Sequence, residues 1–226
     1  GGGVPFWRQS YWHKGASAHA LASAVTRTGK DELLAVGWVE MSAPATVTLA
    51  GAATETAGWI VQIAGSNGAM MGTKLLGDGK TKRAGLRRII ELAGGHYAAV
   101  GWASGAKVAD GRDAYVAVVD GAGKTVQEIH WGGAGHDVFN AAVMTPAGGF
   151  VAAGINRNGK GKGVGVLVGF DSKNAKLWDS TLALGTFETA LWAVTRDADG
   201  GLVTAGGADV GQAGGTPPDY KGWIVW

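Results

Sequence analysis

Apolar and β-branched residues come in brief runs along the chain, each closed by a polar or glycine-rich turn. Trp59-Ile60-Val61-Gln62-Ile63, Tyr115-Val116-Ala117-Val118-Val119, Val166-Leu167-Val168-Gly169-Phe170 and Trp223-Ile224-Val225-Trp226 are such runs. Gly65-Ser66-Asn67-Gly68, Asp120-Gly121-Ala122-Gly123 and Asp171-Ser172-Lys173-Asn174 follow the first three. Runs this short, bounded by Gly, Asp and Asn, predict strands joined by tight reversals. Leu86-Arg87-Arg88-Ile89-Ile90-Glu91-Leu92 alone would also pass as a short amphipathic helix. Periodicity cannot separate the two over so few residues, but the segment matches first strands elsewhere in the chain and is read as one.

The pattern repeats four times. A strand, a turn and a second strand ending on glycine recur at 24–37, 89–101, 142–154 and 193–206, and the closing glycines are Gly37, Gly101, Gly154 and Gly206. A loop of varying length follows each, then a third strand, a short turn and a fourth strand. A self-similar period of this size indicates a repeat architecture. The expected fold is all-β: a four-bladed β-propeller of four-stranded antiparallel blades in a single domain over 1–226, with blades near 16–77, 84–132, 136–184 and 187–226 plus 5–12. Residues 5–12 would pair with 222–226, so that the N-terminal strand closes the last blade and removes two exposed edges.

Composition narrows the chemistry. Glycine supplies 41 of 226 residues and proline 5, short of a low-complexity share, while 46 % of residues are hydrophobic and 17 % charged. A buried core is therefore expected. With no cysteine, disulfides, thiolate catalysis and Cys-ligated metals are excluded. A formal net charge of +2 gives no general attraction for nucleic acid, so any electrostatic role has to be local. No apolar run approaches the ~20 residues of a transmembrane helix, and no transmembrane segment is expected.

The segment from Asp137 to Gly154 has an Asp opening the inner strand, a Gly-Gly turn and a second strand ending in Ala-Gly. It resembles the repeat of bacterial secreted β-propeller proteins, within the broader quinoprotein-like propeller superfamily. Asp171 to Trp178 is similar to the tryptophan-docking repeat of that superfamily. The resemblance implies a propeller fold and a periplasmic or extracellular location; it implies no particular activity.

Candidate chemistry is sparse. Gly79-Lys80-Thr81 and Gly123-Lys124-Thr125 lack the upstream glycine of a phosphate-binding loop, and no serine lies in a Gly-x-Ser-x-Gly elbow. No catalytic residue and no cofactor are assigned, and the metal question stays open. Aligning the inner strands on Val25, Ile90, Val143 and Val194 puts His19, Ala84, Asp137 and Glu188 at one place, six residues earlier. At the mouth of a central channel His19, Asp137 and Glu188 would hold a cation or polar ligand. The simpler alternative is that each caps its own loop through backbone N–H groups.

Loops joining fourth to first and second to third strands emerge on one side, and their lengths vary most, as expected of a binding face. Lys80, Lys82 and Arg83 reach that side from one blade, and Arg157, Lys160 and Lys162 from another. The expectation is a non-enzymatic binding or scaffold module that docks a protein or glycan partner there. A lectin-like, carbohydrate-binding propeller is the alternative, and a quinoprotein-like enzyme comes third. Repetition of tryptophans predicts packing between blades, with Trp7, Trp178 and Trp226 as candidates to face a ligand. A homo-oligomer stays open.

Overall fold

The computed structural model describes residues 9–11, 16–41, 55–77, 83–104, 111–157, 162–183, 188–209 and 220–225. Strands β1 (Ala16–Arg27), β2 (Glu32–Met41), β3 (Glu55–Ala64) and β4 (Met70–Leu76) form a first antiparallel sheet in that order. A second contains β5 (Ala84–Glu91), β6 (His96–Ala103), β7 (Asp113–Asp120) and β8 (Thr125–Trp131). The third contains β9 (Val138–Met144), β10 (Phe150–Asn156), β11 (Val164–Phe170) and β12 (Lys176–Leu182). The fourth holds, among the described residues, β13 (Glu188–Arg196), β14 (Leu202–Asp209) and β15 (Tyr220–Val225). The fold is all-β, and the ambiguous segment at 86–92 runs through strand β5.

Turn chemistry explains how tightly the strands reverse. Asp120 Oδ1 accepts from the backbone N–H groups of Ala122 and Lys124, both at 2.9 Å. Asp171 Oδ1 does the same for Lys173 and Ala175, both at 2.8 Å, and Asp197 Oδ1 for Asp199 and Gly201. One carboxylate thus ties two donors of the turn, the local bonding that makes Asp a turn residue.

Each sheet after the first packs its first strand across three strands of the sheet before it: β5 on β1, β2 and β3, β9 on β5, β6 and β7, and β13 on β9, β10 and β11. The second sheet is consequently buried on both faces. On β6, Tyr97, Ala99 and Ala103 join Leu34, Val36 and Ile60 of the first sheet, while Ala98 and Val100 join Phe139, Phe150 and Phe170 of the third. This accounts for unbroken apolar runs in β6 and β7 where a half-exposed strand would alternate. The fourth strands lie outermost and are mostly exposed, as β8 and β12 illustrate.

Every first strand carries a β-bulge at the same place. The registers skip Ser23 between Ala22 and Ala24, Arg87 between Leu86 and Arg88, Asn140 between Phe139 and Ala141, and Trp192 between Leu191 and Ala193. Opposite the residue before each bulge stands a closing glycine: Gly37, Gly101, Gly154 or Gly206. A Cβ there would collide with the backbone carbonyl of Leu21, Gly85, Val138 or Ala190 respectively. The glycines that mark the repeat are thus demanded by close backbone approach at the bulge.

The expected pairing of 5–12 with 222–226 falls largely outside the described residues, and β15 pairs with β14. Tyr11 rests on the far face of the first sheet, packed against the group of Val39, Trp59, Val61 and Ile63, and its hydroxyl donates to the Gly68 carbonyl at 2.6 Å.

The bulge account makes a quantitative prediction. Gly154→Ala should cost about 2–3 kcal/mol in urea unfolding, because its methyl group has to displace the Val138 carbonyl. Gly121→Ala, with open space around its Cβ, should stay within about 0.5 kcal/mol of the parent. Equal effects of the two would show that the close approach is absent.

Candidate functional site

A bulge re-aims the extra side chain, and here all four extra side chains line adjoining cavities. A cavity of about 470 Å³ is lined by Arg87, Asn140 and Trp192 together with Arg112, Arg157 and Glu188. A second, of about 530 Å³, is lined by Ser23, Trp38, Trp102 and again Arg87 and Arg112. Both lie where first strands begin and second strands end, the side to which the variable loops belong. Residues one step before the bulges take the opposite direction: Leu86, Phe139 and Leu191 are fully buried against the preceding sheets, whereas Ala22, with no sheet before it among the described residues, is exposed.

Hydrogen bonds connect the bulges of neighbouring sheets. Arg87 Nη1 donates to Asn140 Oδ1, and Asn140 Nδ2 donates to the Leu191 carbonyl at 2.7 Å. One amide therefore bridges β5, β9 and β13, and its two bonds fix which end faces which strand.

The cavity walls are rich in arginine. The Arg112 guanidinium carbon sits 4.0 Å from the centre of the Trp102 ring, a cation–π contact. Its backbone is held by the loop before β9, since Arg112 N–H donates to the Gly135 carbonyl at 2.9 Å and Asp137 N–H donates to the Arg112 carbonyl at 2.6 Å. Burial lowers the pKa of Arg112, and the charge of Arg83 adds to that; burial followed by the charge of Arg112 lowers that of Arg87. The three arginines are close enough to repel, and among the described residues none of them forms an ion pair. Arg87 and Arg112 nevertheless remain charged at any physiological pH. Repulsion among like charges is relieved when an anion binds between them.

The proposed channel residues separate on inspection. His19 lies on β1, and its side chain falls outside the described residues. Asp137 is fully buried; Oδ1 accepts from Arg157 N–H at 2.7 Å and Oδ2 from Gly133 N–H at 2.9 Å. Glu188 forms an ion pair with the Arg157 guanidinium. Both carboxylates therefore converge on Arg157, one on its backbone and one on its side chain. The register corrects the alignment by one residue: counted from the bulges, Asp137 is the counterpart of Thr189, and the counterparts of Glu188 are His19, Arg83 and His136. Thr189 is also fully buried and also clasps backbone, accepting from Gly165 N–H at 2.9 Å and donating to the Leu182 carbonyl at 2.8 Å. Among the described residues no three His, Asp or Glu gather as a metal site would require.

Of the basic rim, Arg83, Arg157 and Lys162 are described, while Lys80, Lys82 and Lys160 lie outside the described residues. Arg83 and Arg157 belong to the cavity side. Trp59 and Trp102 are buried, Trp178 is 39 % exposed and Trp192 57 % exposed; Trp7 and Trp226 lie outside the described residues. Arg112, Asn140 and Trp192 were not singled out from sequence. Their signal was present for the bulged pair: Asn140 and Trp192 stand at the same spacing before Gly154 and Gly206 as Arg87 does before Gly101.

No family model matches the sequence, and no curated protein matches it. Among solved structures, the crystal structure of a protein of unknown function from Dyadobacter fermentans DSM 18053 is similar, with a TM-score of 0.58 and 12 % identity. The match covers 89 % of this chain and 59 % of that one, so the chain spans somewhat over half of that protein's length. At this identity the likeness concerns the fold alone.

If Asp137 clasps two loops, Asp137→Ala should cost about 3 kcal/mol in urea unfolding, since two hydrogen bonds to a charged group are lost and two N–H groups are left unpaired. Asp137→Asn, which keeps an acceptor oxygen, should cost less. A loss below about 1 kcal/mol for the alanine variant would remove Asp137 from the clasp.

Proposed function

We propose that the chain is a binding module of β-propeller architecture, and that it takes an anionic partner on the face where the bulges open. The observation that carries this reading is the convergence of the four bulged side chains, Arg87 among them, with Arg112 and Arg157 on adjoining cavities. Sequential sheets whose first strands cross their predecessors support the propeller arrangement. In that arrangement residues 5–12 complete the last blade, and Tyr11 supports this by lying on the face of the first sheet that a closing blade would cover. Periplasmic or extracellular residence belongs to the same reading and rests on the resemblance of the repeat.

A rigid β scaffold presenting variable loops is a common basis for recognition, and the function resides in the site that those loops build. Here the net charge of the chain is small, so attraction is confined to one face. On this reading the basic rim of Lys80, Lys82, Arg83, Arg157, Lys160 and Lys162 steers an acidic protein or glycan toward the cavities.

Immobilised polyglutamate and polygalacturonate provide test surfaces. Reversing Lys80, Lys82 and Arg83 to Glu should slow association roughly tenfold at low salt and flatten its salt dependence, with an unchanged circular-dichroism spectrum. An on-rate indifferent to both the reversal and ionic strength would contradict the docking face.

A further inference from the structure

The larger field attracts anions, but the walls of the cavity between the second, third and fourth sheets are more selective. Arg87 spends one of its five N–H donors on Asn140, and Arg112 lies over the Trp102 ring, a contact that uses no N–H donor, so both retain donors for a carboxylate. Glu188 and Asp209, register partners at the ends of β13 and β14, line the same cavity. Two acids in the wall disfavour an anion whose charges crowd together, such as phosphate or a polyphosphate, more than one with a single carboxylate per sugar ring, and they can accept hydrogen bonds from hydroxyl groups. Beside them Trp192 offers an indole that is 57 % exposed although it sits on a first strand. A broad apolar ring face next to polar acceptors suits a molecule with a C–H face and a hydroxyl edge.

We propose that this cavity binds a sugar acid: a saccharide ring with one carboxylate, of the hexuronate type. The carboxylate lies on Arg87 and Arg112, the ring stacks on Trp192, and hydroxyl groups donate to the acids at the strand ends. The bulges at Arg87 and Trp192 bring both anchors to one cavity from sheets that are not neighbours, with Asn140 fixing the distance between them. This assignment rests on the binding-face reading and makes it specific.

Isothermal titration of the full chain with trigalacturonate, with neutral galactotriose and with inorganic phosphate tests it. Trigalacturonate should bind, with galactotriose and phosphate each at least about tenfold weaker. Trp192→Ala and Arg87→Gln should each weaken trigalacturonate about tenfold, and Arg87→Lys should recover only part, because an ammonium lacks the planar fork. Trp192→Leu keeps an apolar side chain and serves if the alanine variant unfolds; it too should lose affinity. Phosphate binding as tightly as trigalacturonate, or affinity unchanged in a folded Trp192 variant, would overturn the sugar-acid assignment in favour of a general anion site. Failure of all three probes to bind would also overturn it. The binding-face reading falls separately, through the on-rates of the Lys80, Lys82 and Arg83 variant.

Discussion

Four backbone carbonyls press against four glycines, and the end of the molecule where the cavities open depends on that contact. Where β2, β6, β10 and β14 pass the bulges, the residues opposite Ala22, Leu86, Phe139 and Leu191 have no room for a Cβ. The bulge in turn lets two successive side chains serve different surfaces: one enters the core between sheets and the next opens into a cavity. On the proposed function, stability and recognition are thereby assigned to adjacent residues. The core positions hold leucine or phenylalanine in three of the four sheets, while the bulged positions hold Ser, Arg, Asn and Trp. Such a scaffold can change its cavity-lining residues without repacking its core.

Electrostatics follows from the same geometry. The arginines do not form a diffuse surface patch; Arg87 projects from a bulge, Arg112 is fixed by the loop that Asp137 anchors, and Arg157 is gripped by Asp137 at its backbone and Glu188 at its side chain. Buried Asp137 therefore acts on the site through the backbone it holds. Its carboxylate accepts two backbone N–H groups, the arrangement that makes a buried charge tolerable. On the proposed function the result is a set of preorganised arginines that needs no rearrangement to meet an anion.

The strands and their fourfold recurrence were legible because glycine, Asp turns and short apolar runs each have a local physical cause. Strand β5 was legible only by comparison with the other units, since its own periodicity fits a helix as well. The closing glycines were visible as marks of the repeat, but their reason was not: close approach of one strand to another is a tertiary fact. The bulge also explains the alignment error at Asp137. Aligning inner strands on apolar residues took Ile90 and Val143 as equivalents of Val25 and Val194, whereas counting from the bulge gives Ile89 and Ala142. An extra residue shifts the phase of alternation, and hydrophobicity alone does not reveal where the shift occurs. Arg112 was hidden for another reason: it occupies a loop of variable length, where repeats offer no register.

The central claim is that the bulged side chains of successive sheets meet one another at one end of the molecule. A double-mutant cycle on the Arg87–Asn140 hydrogen bond, using Arg87→Ala, Asn140→Ala and the double variant in urea unfolding, addresses it most directly. The two residues are far apart in sequence and belong to different sheets, so only the described convergence couples them. The account predicts a coupling energy of roughly 0.5–1.5 kcal/mol, that of a partly exposed hydrogen bond to a charged group. Additivity within about 0.3 kcal/mol would mean that the bulges do not meet, and would contradict the site built upon them.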